Sequence, residues 1–302
     1  MKGVAFFRAI TAALAVASVL AAFPGCRPEE GGRGIKVVAS IFPLADFVKN
    51  VGGDRVEVAT LLRPGDSPHT YEPTPKQAKA IAQAAVFIKN GAGLEFWAEK
   101  LVRSAGNPDL LVVDTSQGIA VIAEGENHNG ANPHLWLDPV IAQNQVKNIR
   151  DALIQVDPDN RVIYHRNTEA YLAELATLDH EIRGRVSSFQ TRKFISYHTA
   201  WSYFARRYGL EEVAVIEESE GEELSPAHLQ SVIHKARELK VKAIFVGRQS
   251  GPNAVKAVQT IAQEAGGEVI LLDPLGYARD TDRDDYLKLM RYNLSQMAKV
   301  ME

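Results

Sequence analysis

The sequence predicts an α/β protein made of two lobes, each with a largely parallel sheet flanked by helices, joined by one long rigid helix into a clamshell. Three observations carry that prediction. Apolar runs of strand length alternate with helical patterns in the first half, and the same alternation returns in the second half. Between them runs a polar helical stretch with no Gly before Gly184. Nearly continuous Val/Ile/Leu runs mark strands covered on both faces, as in parallel sheets with crossover helices.

In the first half, residues 35–42 (IKVVASIF) read as a strand, 43–52 as a helix and 56–62 (VEVATLL) as a second strand. Residues 76–84 are helical, 85–91 (AVFIKNG) a strand, 94–105 a helix and 110–114 (LLVVD) a strand. A further strand is expected near 119–123. In the second half, 193–198 (KFISYH), 212–218 (EVAVIEE), 241–247 (VKAIFVG) and 268–273 (EVILLD) read as strands. The helical segments 199–209, 227–240 and 253–267 separate them. The two halves share no sequence repeat.

The bridging helix is expected over 157–188, with Asp157 suited to the cap and Pro158 to the first turn. Some 25–30 residues of helix within it measure about 40–45 Å, the span of a domain. A flexible linker would be rich in Gly, Ser or Pro, and this segment is not. The expected organisation is therefore a signal peptide at 1–25, a tether at 26–34, a first lobe at 35–156, the bridging helix at 157–188 and a second lobe at 189–302.

Composition narrows the function. The chain has 302 residues, 46% of them apolar and 24% charged, with a formal net charge of -3. That is enough apolar material for a sizeable core and too much for a disordered chain. No Lys/Arg cluster is present, which excludes nucleic acid as a partner. A single cysteine, Cys26, excludes an internal disulfide framework and the multi-Cys zinc and iron–sulfur sites.

The leader is an address. Lys2 and Arg8 precede an uncharged run from Ala9 to Phe23. That run falls short of the roughly 20 helical residues needed to cross a bilayer, and it has the order of a secretory signal. Cys26 follows Gly25 where a bacterial lipobox would place a lipid-bearing cysteine, although Phe23 stands where such boxes usually have Leu. The working protein is expected to be exported to the periplasm or the outer face of the cell membrane, mildly acidic, tethered by lipid on Cys26, and monomeric.

Eight histidines are present: His69, His128, His134, His165, His180, His198, His228 and His234. Ligands of open α/β sheets collect outside the carboxyl ends of strands, so each histidine can be asked whether it follows one. His69 does, in the Pro- and Gly-stiffened segment LRPGDSPHTYEPTP. His134 does, in ANPHLWLDP after the strand expected near 119–123, and His198 ends FISYH. Asp273 closes EVILLD at the same edge of the second lobe. Three imidazoles and a carboxylate make a plausible shell for Zn²⁺ or Mn²⁺. Glu72, Asp138, Glu217 and Glu218 are candidates to orient the imidazole N–H groups. Separated histidines carry no fixed-spacing motif, so chance scatter among eight is the competing reading. His165 and His180 fall on the bridging helix, His228 and His234 lie off a common helix face, and His128 sits in the acidic loop EGENHNG.

The segments VVASIFPLADFVKNVGGDRVEV, LLRPGDSPHTYEPTPKQAKAI, NGAGLEFW, NPHLWLDP, YHTAWSYFARRYGL and LLDPLG resemble the metal-binding solute receptors of bacterial ABC importers, the zinc/manganese/iron group. The likeness runs over residues 35–298 with the motifs in the same order. It implies two α/β lobes bridged by a rigid helix, and no enzymatic activity. It makes His69, His134 and His198 the three histidine ligands and puts Asp273 where many members have an acidic fourth ligand. It also implies a permease and its ATPase as partners.

Two departures stand out. The long His- and acid-rich loop of many zinc members is reduced to EGENHNG, and Arg248 precedes Gln249 where members usually have Glu. A single acidic ligand and the LDPLG ending resemble the zinc branch more than the manganese branch, so Zn²⁺ is the expected cargo, with a manganese or iron receptor as the alternative. An adhesin, or a metallohydrolase lacking HExxH, GxSxG and P-loop motifs, is the more distant alternative.

Overall fold

The computed structural model describes residues 34–124, 130–217 and 225–302. The expected signal peptide, Cys26, His128 and Glu218 lie outside them, and no described helix is long and apolar enough to cross a membrane.

The chain opens with β1 (Ile35–Ala39), α1 (Phe42–Gly52), β2 (Val56–Thr60), α2 (Pro75–Ala82), β3 (Val86–Lys89), α3 (Ala98–Ala105) and β4 (Leu111–Asp114). These four strands form one parallel sheet in the order β2-β1-β3-β4. Val37, Val38, Val86, Phe87 and Ile88 are buried in it, as their apolar runs require. Two-residue strands β5 (Ala123–Glu124) and β6 (Gly130–Ala131) then pair antiparallel. The strand expected near 119–123 is thus reduced to its last residue, because the chain turns just before it, with the Ile119 N–H on the Ser116 carbonyl and Gly118 at a positive φ.

α4 (Pro139–Val156) is capped by Asp138, whose Oδ1 accepts from the N–H groups of Val140 at 2.8 Å and Ile141 at 3.3 Å. After a short 3₁₀ turn at Pro158–Asn160, the long helix α5 runs Arg161–Ser187. Asp157 ends α4 and binds the Tyr164 hydroxyl at 2.6 Å, so it serves the junction between the two helices. Tyr164, Thr168, Tyr171, Leu175, Leu178, Ile182 and Val186 are buried along α5. Their spacing of three and four residues lays one stripe down the helix, which explains how so polar a helix can run through the core.

The second half contains β7 (Lys193–Ser196), α6 (Ser202–Tyr208), β8 (Glu211–Val215), α7 (Pro226–Glu238), β9 (Ala243–Gly247), α8 (Pro252–Ala265) and β10 (Glu268–Leu272). Its sheet is parallel, in the order β10-β9-β7-β8. A final helix, α9 (Tyr286–Met301), adds to the expected elements and packs on α5 and β10. The largest apolar cluster takes in Val37 and Phe87 of the first sheet, Leu178 and Ile182 of α5, and Phe245 and Ile270 of the second sheet. Two α/β lobes therefore share one core, with α5 as its spine.

Candidate metal centre

Three loops at the carboxyl ends of the strands deliver the three histidines. His69 sits in the segment after β2, which is tied down at both ends. Tyr71 Oη donates to the Leu61 carbonyl at 3.0 Å, Gln77 Nε2 donates to the same carbonyl at 2.8 Å, and Trp97 Nε1 donates to the Pro68 carbonyl at 3.3 Å. The prolines and these bonds fix the ring with little chain entropy left to lose.

His134 caps a 3₁₀ turn at Leu135–Leu137, in a loop carried from behind by Asn90, whose Nδ2 donates to the Pro133 carbonyl at 2.8 Å. Asn132 is buried beneath the ring. Its Oδ1 accepts from the His134 backbone N–H and stands 3.0 Å from His134 Nδ1, while its Nδ2 donates to the Thr199 carbonyl at 2.7 Å. That donor bond fixes the amide orientation, so Nδ1 carries the proton and Nε2 offers its lone pair to the cleft. His198 follows β7 at the start of a 3₁₀ turn, with Tyr197 anchored through its N–H on the Phe245 carbonyl at 2.8 Å.

The three Nε2 atoms converge. His134 Nε2 lies 3.3 Å from His69 Nε2 and 3.2 Å from His198 Nε2. Among the described residues these three histidines form the group whose ligand atoms all lie within 4.8 Å of one another. Four ligands placed tetrahedrally at Zn–N distances of 2.0–2.1 Å sit about 3.3–3.4 Å apart, so the two short spacings match the edges of such a shell. Burial, together with the repulsion of neighbouring imidazoles, holds His134 well below the ordinary histidine range; the same causes bring His198 down to about 3. Both rings are therefore neutral and ready to ligate at physiological pH.

The rings face a cleft of about 270 Å³ that Glu217 also lines. The Tyr197 hydroxyl reaches Glu217 Oε1 at 3.4 Å. Asp273 stands apart from the three histidines and lines a neighbouring cavity of about 250 Å³. Glu72 is exposed, and Asp138 caps α4 while pairing with Arg207 at 2.5 Å, so neither orients an imidazole. Asn132 does that work instead. The signal for it was its place two residues before His134 in ANPH, where an amide can reach back to the ring. Of the other histidines, His228 bonds the Val215 carbonyl at 3.1 Å, and His165, His180 and His234 lie on α5 or α7.

Two α/β lobes on a shared helical spine, with three converging imidazoles in the cleft, one buried and two half-buried, define a protein built to hold a divalent transition metal. The chain belongs to the family described as ZnuA, zinc-uptake complex component A, periplasmic, whose model matches residues 37–300. It is 31% identical over 281 residues to the high-affinity zinc uptake system protein ZnuA of Bacillus subtilis, covering 88% of this chain and 87% of the relative. It is 32% identical over 280 residues to the manganese-binding lipoprotein MntA of Halalkalibacterium halodurans, covering 89% and 91%. A crystal structure of ZnuA superposes with a TM-score of 0.80 at 34% identity, covering 89% of this chain and all of that one. The protein is the extracytoplasmic metal-binding component of an ABC-type importer, a transport protein.

Proposed function

We propose that the cargo is Zn²⁺, held by Nε2 of His69, His134 and His198, with Glu217 the nearby carboxylate of the same cleft, and that the loaded receptor passes the ion to a membrane permease driven by its ATPase. The observation that carries this reading is the spacing of the imidazole nitrogens, 3.2 and 3.3 Å, which suits a small tetrahedral ion. A nitrogen-rich donor set favours zinc over manganese in the ordinary affinity order of divalent metals. Lipid on Cys26 would keep the receptor beside its permease, and the division into lobes at 35–156 and 189–302 on a helix at 157–188 would let the cleft close only slightly.

The test is calorimetric titration of the full chain and of His198→Ala with Zn²⁺, followed by Zn²⁺/Mn²⁺ competition. The expected result is a loss of at least about a hundredfold in zinc affinity with an unchanged circular dichroism spectrum, because one of three nitrogen ligands is gone. Unchanged affinity in the variant would overturn the ligand assignment, and a preference for Mn²⁺ in the competition would overturn zinc as cargo.

A further inference from the structure

Asp273 is rigidly placed yet turned toward a different cavity. Asn293 clamps its main chain on both sides, accepting from the Asp273 N–H at 2.8 Å and donating Nδ2 to its carbonyl at 2.6 Å. Oδ1 accepts from the N–H groups of Leu275 at 3.1 Å and Gly276 at 2.8 Å. Oδ2 lies 3.0 Å from Nε of Arg283, and both side chains are nearly buried, at 12% and 10% exposure. Gln249 and Leu275 line both this cavity and the histidine cleft, so they form the partition between the two.

Arg283 is itself well fixed. Its Nη2 pairs with Asp280, and its guanidinium lies 4.6 Å from the centre of the Tyr292 ring. Arg248 approaches the same ring at 5.5 Å and donates Nη2 to the Tyr292 hydroxyl at 2.8 Å. Two cations thus approach one aromatic ring beside one carboxylate. The hold on Asp273 is uneven, however. Oδ1 has two aligned backbone donors, whereas Arg283 Nε makes no aligned hydrogen bond although it is buried and close. Oδ2 is therefore held by the charge of Arg283, and once that charge is gone only the two Oδ1 bonds oppose a swing of the carboxylate.

We propose that Arg283 determines metal preference by holding Asp273 back from the cargo ion. This rests on the three-histidine reading given above and deepens it. With Asp273 engaged, the ion meets three neutral imidazoles and no carboxylate from β10, a donor set suited to Zn²⁺. With Asp273 released past Leu275 and Gln249, the site gains a hard anionic oxygen of the kind Mn²⁺ favours. Arg283 acts through Asp273 and is a positioning residue.

The test uses the full chain as wild type, Asp273→Asn, Arg283→Met, the double variant, Arg283→Lys and His198→Ala, titrated with Zn²⁺ and Mn²⁺ and examined by the visible spectrum of the Co²⁺-loaded protein. Asp273→Asn is expected to keep zinc affinity within about threefold and to leave the cobalt spectrum unchanged, because Asp273 is not a ligand. Arg283→Met is expected to raise manganese affinity about tenfold or more and to alter the cobalt bands as an oxygen donor enters. The double variant should return both readouts to wild type, and Arg283→Lys, which keeps the charge, should resemble wild type.

A tenfold loss of zinc affinity with a changed spectrum in Asp273→Asn would overturn the proposal, as would identical manganese affinities in Arg283→Met and the double variant. Should Arg283→Met fail to fold, Arg283→Gln, which drops the charge and keeps a polar end, carries the same expectation and the same power to overturn. Loss of binding in both His198→Ala and Asp273→Asn sinks only this proposal, whereas full binding in His198→Ala sinks the reading beneath it.

Discussion

Asn132 and His134 are joined twice: one amide oxygen accepts from the histidine's backbone N–H at 3.0 Å and faces its Nδ1 at 3.0 Å. The other end of the same amide reaches the Thr199 carbonyl at 2.7 Å, beside His198 on the opposite lobe. One side chain thus sets the tautomer of one ligand and ties its loop to the loop of another.

Replacing Asn132 with Ala therefore removes an orienting acceptor and leaves a buried Nδ1 without its partner. Zinc affinity is expected to fall about 10- to 100-fold, the range found for partners that orient metal ligands. Asn132→Asp keeps the acceptor and loses the donor to Thr199, so it should retain more affinity than Ala. Chelator competition on the two variants checks the order; equal affinities in Ala and wild type would refute the role.

Metal-free protein should lose stability toward acid because of the same rings. His198 is brought down to about 3 by burial and by His69, and His134 is lowered as well. Below about pH 6.5 the unfolded chain takes up protons that the folded rings refuse, so acid favours unfolding. Stability is full above that pH and declines as pH falls toward 3, by roughly 2–3 kcal/mol at pH 4.5 for one such imidazole. Urea melts of the metal-free protein between pH 4.5 and 7.5 measure it, and His198→Ala should flatten the curve.

Asp46 works in the opposite direction. It lies on α1, where it accepts from the Tyr286 N–H of α9 at 3.1 Å and the Tyr171 hydroxyl of α5 at 3.3 Å. Burial is the main cause that raises its carboxyl from 3.8 to about 6. The folded state therefore holds the proton more tightly, and the contribution present below pH 3.8 is lost as pH rises through about 6. Asp46→Asn keeps an acceptor and drops the charge. Its stability relative to wild type should improve by roughly 2–2.5 kcal/mol between pH 4 and pH 8. A pH-independent difference in paired denaturation curves would contradict this.

Much of the architecture was legible because it rests on periodicity. The Val/Ile/Leu runs at 35–42, 85–91 and 241–247 each contain a strand of a parallel sheet, and the stretch without Gly before Gly184 holds α5. His69, His134 and His198 were legible because each follows a turn at the carboxyl edge of a sheet. The strand expected near 119–123 failed because apolar composition there serves packing around Tyr203, whose hydroxyl accepts from the Ile122 N–H at 2.9 Å, and not a ladder. Where Asp273 points was not legible, since its direction depends on Arg283, ten residues further along, and no local pattern encodes that ion pair. Asn132 was readable only as a neighbour of His134; its reach to Thr199 is a tertiary fact.

The stripe on α5 carries a mechanical consequence. A vise normally turns on a pivot, but here the backbone of the tool is also its filling, since Leu178 and Ile182 belong to the same apolar mass as both sheets. Wide opening would tear that mass apart, so entry of an ion falls to the short Pro- and Gly-rich segments at the mouth rather than to a swing of the lobes.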